Sequence, residues 1–213
     1  MRVTLLMHIA RKIKNHLRRL VQSYGPQSLK RRIWNREYAG GSWAGLENMV
    51  GDCLYRHVEE HARCGDILDL GCGPGATANE LDEASYRSYT GVDISDVALG
   101  KARARTLGTP RAAKNRYFQA DILMYQPDQS YDVIVFGDSL YYLAHHQIHG
   151  ALSRYAGHLK KDGVFVIRLY GYERVADLIR RNFDVVARHL YQCAQISVLV
   201  FRPRPPTRQT KTP

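Results

Sequence analysis

From about residue 44 onward the chain alternates between two hydrophobic patterns. Short continuous apolar runs, rich in β-branched and aromatic residues, occupy residues 67–70, 89–93, 117–121, 131–136 and 164–169. Runs of that length and composition predict buried strands. Between them, apolar residues recur every three or four positions over 76–81, 96–107, 146–159 (Ile148, Leu152, Tyr155, Leu159) and 172–181, which predicts helices. A further helix is predicted over 44–62, from Leu46, Met49, Val50, Cys53, Leu54 and Val58. Strand–helix alternation implies right-handed crossovers and a mostly parallel, doubly wound α/β sheet with helices on both faces. Residues 185–191 and 195–201, joined by a short connection, predict a terminal hairpin, and with it one antiparallel strand. Residues 159–163 read as a turn before the fifth strand.

The first predicted strand runs directly into a glycine hinge: Asp69, Leu70, Gly71, Cys72, Gly73, Pro74, Gly75. Glycines there permit tight-turn backbone angles and a close approach that a side chain would block, so a nucleoside ligand is the expected occupant. Unpaired N–H groups at a helix starting near Ala76 favour a carboxylate or phosphate. Two ligand classes remain open on this run alone. Gly71, Gly73 and Ala76 also satisfy the looser dinucleotide pattern of NAD-dependent oxidoreductases. Two more strands end in carboxylates, Asp93 and Asp121. Asp93 offers paired acceptors for two ribose hydroxyls, and the neighbouring Ile94 and Ile122 offer apolar faces to an adenine ring.

Asp69, the glycines at 71, 73 and 75, and the two later acids resemble class I S-adenosylmethionine (SAM) dependent methyltransferases, whose first motif is D/E-x-G-x-G-x-G. The resemblance runs from about Trp34 to Phe201 and implies a Rossmann-like, seven-stranded sheet with SAM as cofactor. It further implies that Asp121 meets the exocyclic amine of adenine and that the backbone at Gly137 meets the amino group of the methionine part. Cofactor contacts are thus expected from Asp69, Gly71, Cys72, Gly73, Gly75, Asp93, Ile94, Asp121, Ile122 and Gly137, with Cys72 a packing residue rather than a nucleophile. The run 138–143 resembles bacterial methyltransferases acting on saccharide, lipid or other small acceptors, including the nodulation N-methyltransferase. In this fold class an N-terminal segment often covers the cofactor, so Tyr38 or Trp43 is expected to border the pocket.

Methyl transfer is an in-line displacement that gains most from alignment and exclusion of water; a base helps only for a hydroxyl or protonated amine acceptor. The side chains following the fourth strand supply the candidates: Asp138, Tyr141, His145 and His146. His145 and His149 have the spacing of a helical metal pair, but no third ligand accompanies them, so no metal is expected. The residues 137–140 are not the N/D-P-P-Y/F of amino-purine DNA methyltransferases, and the Pro-Cys nucleophile of C5-pyrimidine enzymes is missing. Acceptors are therefore expected among small molecules and envelope glycoconjugates or lipids; a SAM-binding interaction protein without transferase activity is the alternative.

Charge changes the picture at the ends only. Of 31 Lys and Arg, nine lie in residues 1–33 and four in 202–213, segments with no acid; the middle is near neutral. Nucleic acid is accordingly not the expected partner of the cleft. Leu5, Ile9, Ile13, Leu17 and Leu20 form one face of a helix that also carries Arg11, Lys12, Lys14, Arg18 and Arg19. Such a basic amphipathic helix suits peripheral contact with a membrane inner face, or packing on its own domain. Gly25-Pro26 marks a break. The expected organisation is an arm (1–33), a methyltransferase domain (34–202) and an unstructured tail (203–213). Cys53, Cys64, Cys72 and Cys193 form neither a zinc nor a disulfide pattern, which suits a reducing cytoplasm.

Overall fold

The structure, a computed structural model, describes residues 12–13, 16–47, 49–171, 173–191 and 195–204. Leu5, Ile9, Arg11, Lys14, Tyr172, Cys193 and tail residues 205–213 lie outside the described residues. Seven strands form one sheet: β1 (Gly65–Leu70), β2 (Tyr86–Asp93), β3 (Asn115–Gln119), β4 (Tyr131–Gly137), β5 (Leu159–Tyr170), β6 (Phe183–Tyr191) and β7 (Ile196–Pro203). Their order is β3-β2-β1-β4-β5-β7-β6. Pairs from β3 to β5 are parallel, and β7 runs antiparallel to both β5 and β6. This is the Rossmann-like, doubly wound sheet with an antiparallel strand.

The pleat divides each central strand between two cores. On one face Leu68, Leu70, Ile134, Phe136, Phe165 and Ile167 pack with Ile148, Leu152 and Tyr155 of α6 (His145–Ala156) and Val175 and Ile179 of α7 (Glu173–Asn182). On the other, Ile67, Val133, Val135, Val164 and Val166 pack with Leu54 and Val58 of α3 (Cys53–Ala62), Ala78 of α4 (Ala76–Glu80) and Leu99 and Ala102 of α5 (Asp96–Thr106). Burial on both faces explains why these strands read as unbroken apolar runs. Chain order reverses between β1 and β4, which opens a crevice at the C-terminal strand ends.

Two expectations are corrected. The helix over 44–62 is two pieces: a 3-10 turn (Ala44–Leu46) and α3. Gly51 takes φ +74° between them, and the Asp52 carboxylate accepts from Leu54 N at 2.8 Å as the N-cap of a new helix. The turn over 159–163 is instead the start of β5: Leu159 pairs with Tyr131, and the register shifts before Val164 meets Val133. The described helices run across residue 33. Helical residues 16–24 (α1) lead through Gly25 and Pro26 into α2 (Gln27–Ala39), which crosses that point. α2 is fastened to α5 through Asn35, which accepts from Ser95 Oγ and donates to Asp96 Oδ1, each at 2.7 Å. Pro203 ends β7, paired with Phe183, and Arg204 follows it.

Candidate functional site

The β1–α4 hinge forms as its glycines allow: Gly71, Gly73 and Gly75 all take positive φ (83°, 54° and 78°). A Cβ on Gly71 would collide with the Ser139 Cβ, and one on Gly73 would lie 2.9 Å from the Tyr38 hydroxyl. The helix that follows is a single short turn ending at Glu80.

Above this hinge lies a cavity of about 170 Å³. Asp69, Gly71, Cys72, Gly73, Asp93, Ile94, Asp121, Ile122 and Gly137 all line it, as do Asp138 and Tyr141 from the β4 exit. Gly75 sits behind the wall, against Ala102. His145 and His146 are exposed at the start of α6 and do not line the cavity; the His146 ring stacks on Tyr24 at 6.1 Å. Chain proximity to β4 did not carry them inward, because α6 turns away there to bury Ile148 and Leu152.

The three strand-end acids are buried, and each is held differently. Asp69 Oδ2 accepts from the Tyr89 hydroxyl at 2.6 Å, and Oδ1 has no hydrogen-bond partner among the described residues. Asp93 Oδ2 accepts from Gly73 N at 2.9 Å and Oδ1 from Ser95 N at 2.8 Å, so the second strand's carboxylate also braces the hinge. Burial raises both carboxyls to about 6, against the Tyr89 bond in one case and the two backbone donors in the other. Asp121 Oδ1 accepts from Leu123 N at 2.9 Å, while Oδ2 faces Lys30 Nζ at 3.3 Å. The Cys72 thiol is pushed well up by burial, which suits packing and not nucleophilic work.

The roof comes from the N-terminal helices. Gln22, Lys30, Trp34 and Tyr38 line the cavity together with Trp43. Trp34 packs at 6.1 Å on Tyr38, at 5.9 Å on Trp43 and edge-on at 4.9 Å on Tyr142. Trp43 Nε1 donates to Glu37 Oε2 at 3.0 Å, and Arg18 pairs with Glu37 Oε1 at 3.0 Å, so α1, α2 and the aromatic wall form one unit. Burial, and then the Asp93 charge, push the Tyr38 phenol well above its ordinary value, so it stays a neutral donor beside the hinge.

Two further side chains line the cavity, Lys30 and Arg168. Lys30 lies in the basic N-terminal segment, yet Lys30, Trp34 and Tyr38 follow one another at helical i, i+4 spacing and therefore share a face. Arg168, the one charge in the apolar run 164–169 of β5, is buried and pairs with both Asp52 and Asp138. Its isolation within that run was the available signal, since a buried cation requires partners.

Glycine backbone with no room for side chains, buried carboxylate acceptors, apolar faces from Ile94 and Ile122 and an aromatic roof together fit an adenosine-bearing cation better than a pyrophosphate, which three acids would repel. The comparisons agree. Residues 67–163 match the family model of a methyltransferase domain. Trans-aconitate 2-methyltransferase of Enterobacter sp. (strain 638) is 33% identical over 105 residues, 49% of this chain and 38% of that protein. Nodulation protein S of Azorhizobium caulinodans is 25% identical over 159 residues, 64% of this chain and 74% of that protein. The chain thus spans well under two thirds of the first of these relatives, though more of the second. Among solved structures, the N-methyltransferase NodS of Bradyrhizobium japonicum WM9 in complex with S-adenosyl-L-homocysteine superimposes with a TM-score of 0.63 at 22% identity, covering 82% of this chain and 98% of that one. At that identity the likeness is one of fold.

Proposed function

We propose that this chain, whose residues 67–163 match a methyltransferase domain, is a class I SAM-dependent methyltransferase and transfers a methyl group from SAM to an O or N atom of a small molecule or of an envelope glycoconjugate or lipid. The observation that carries the reading is the convergence of Asp69, Asp93 and Asp121, with the glycine hinge, on one cavity. Asp93 would take the ribose hydroxyls, Asp121 the adenine amine, Ile94 and Ile122 the ring faces, and the Gly71–Gly73 backbone the methionine part. When bound, SAM supplies an electrophilic methyl carbon on a sulfonium.

The chain's own contribution is placement. Asp138, Tyr141, Tyr142 and Arg168 line the cavity and would face the acceptor, with Arg168 paired to the Asp138 carboxylate. The aromatic roof of Trp34, Trp43 and Tyr142 would shield a bound cofactor from water. Aligning an acceptor that is already a free amine or carboxylate requires no buried base, and no histidine is offered there. No described helix is long and apolar enough to cross a membrane, and the basic α1 suits peripheral contact with the inner face.

Calorimetry with SAM and with NAD tests the reading. Micromolar SAM binding, weakened about tenfold or more in Asp93→Ala, is the expected result. NAD binding without SAM would move the chain to the oxidoreductases, and SAM binding without labelled-methyl transfer into any cell extract would make it a binding protein.

A further inference from the structure

The cofactor cavity continues into a second cavity of about 300 Å³: Met49, Asp138, Tyr141, Tyr142 and Arg168 line both, and Arg19, Tyr170 and Ile196 complete the second. Arg19 belongs to α1, so one wall of this space is the N-terminal helix itself. The same helix presents large apolar side chains to solvent. Leu17, Leu20 and Tyr24 are 56%, 42% and 62% exposed, and their steps of three and four residues place them along one face. Exposed cations accompany them on α1 and α2 (Arg19, Arg31, Arg32 and Arg36), and no acid precedes Glu37, which is buried and paired with Arg18.

We propose that this face docks on an anionic bilayer, and that the second cavity is the door through which the headgroup of a membrane-embedded amphiphile reaches Asp138. This rests on the methyltransferase reading above and names its acceptor class. Leucines at helical spacing bury in the acyl boundary, while each Lys or Arg near anionic lipid adds about 1 kcal/mol. A nucleic-acid surface would use the cations and leave the leucines exposed to water. The lining also fits a headgroup. Arg19, the Asp138–Arg168 pair and three tyrosines offer donors and acceptors, whereas the apolar tail of the acceptor stays in the bilayer on which α1 lies. Docking therefore presents acceptor and door together, and through Arg18–Glu37–Trp43 it reaches the cofactor roof.

Flotation of the full chain with vesicles tests the docking. Wild type is expected to bind an equal mixture of phosphatidylcholine and phosphatidylglycerol about tenfold or more tightly than phosphatidylcholine alone. Leu17→Glu with Leu20→Glu, both on the exposed face, is expected to lose that binding and keep its solution affinity for SAM. Wild type that binds SAM but not the mixed vesicles, vesicle binding indifferent to the double substitution, or release from vesicles by an RNA oligonucleotide would each overturn the proposal while leaving the methyltransferase reading intact. Failure to bind SAM would instead sink that reading. For the door, labelled SAM is supplied with a lipid extract reconstituted in the mixed vesicles or dispersed in detergent. Wild type is expected to label an organic-phase product in both, and the double variant only in detergent. Label confined to water-soluble products, or none in the organic phase from wild type, would overturn the acceptor class.

Discussion

Lys30 Nζ stands 3.3 Å from Asp121 Oδ2, joining a helix of the N-terminal segment to the acid that follows β3 across ninety-one positions of chain. Each side chain retains only 10% of its exposure. A pair this enclosed costs more to break from one side than it contributes when whole. It clasps the roof to the strand ends, and it occupies an oxygen that the bound nucleoside would use.

Lys30→Met should therefore separate folding from binding. Leaving Asp121 buried without its cation costs about 3 kcal/mol, seen as a lower melting temperature for the free protein. SAM affinity should rise several-fold, because an adenine amine no longer competes with an ammonium and a positive charge has left a site for a cation. Differential scanning fluorimetry and calorimetry read the two effects. A fall in affinity would mean that Lys30 contacts the ligand directly.

The pH dependence follows from Asp69 and Asp93. Burial raises both carboxyls to about 6, so the folded state holds protons that the unfolded chain, with carboxyls near 4, has released. Their contribution to stability is complete below about pH 4 and is lost as pH rises through about 6. Ligand binding runs the other way, since the ribose hydroxyls donate to an ionised Asp93. Melting temperature of the free protein should fall between about pH 4 and pH 6.5, while SAM affinity increases about tenfold from pH 5 to pH 7. Asp69→Asn should flatten part of the stability slope and leave the affinity slope in place.

What the sequence made legible and what it hid divide along physical lines. The five parallel strands and the hinge were readable because burial on both faces leaves unbroken apolar runs, and because the turn at Gly71 admits no side chain. Lys30 stayed hidden because charge counted by segment treats every lysine as solvated, although its spacing to Trp34 and Tyr38 placed it on the buried face. The break at Gly51-Asp52 was overridden by an apolar periodicity that continued through Val50, a residue that proves 81% exposed. Nearness in sequence misled for His145 and His146, since one helix start separates them from the cavity.

Two glycine substitutions make a matched pair. Gly71→Ala puts a methyl into the Ser139 Cβ at a φ of +83° that alanine disfavours. It should cost about 3 kcal/mol of stability and abolish measurable SAM binding. Gly100 lies inside α5, where an added Cβ meets nothing within 4 Å. Gly100→Ala should stabilise by about 0.5 to 1 kcal/mol and leave SAM affinity alone. Urea unfolding measures both, and equal effects would show that the hinge tolerates bulk.

Arg168 bridges Asp52, the cap of α3, to Asp138 at the door of the cofactor cavity. Arg168→Met strands two carboxylates and releases the α3 cap's partner, so it should cost about 4 kcal/mol and says little about catalysis. Asp138→Asn is the sharper test. Asp138 sits at φ +60°, a conformation asparagine tolerates as well as aspartate does, and the amide oxygen can still accept from Arg168. SAM affinity should therefore be unchanged, while loss of one anion beside the buried guanidinium should cost about 1 to 2 kcal/mol of stability. If Asp138 orients the acceptor, KM for the acceptor should rise about tenfold, with a smaller loss in kcat. A variant with unaltered KM and kcat would confine the Asp138–Arg168 pair to a structural role and return the acceptor-facing task to Tyr141 and Tyr142.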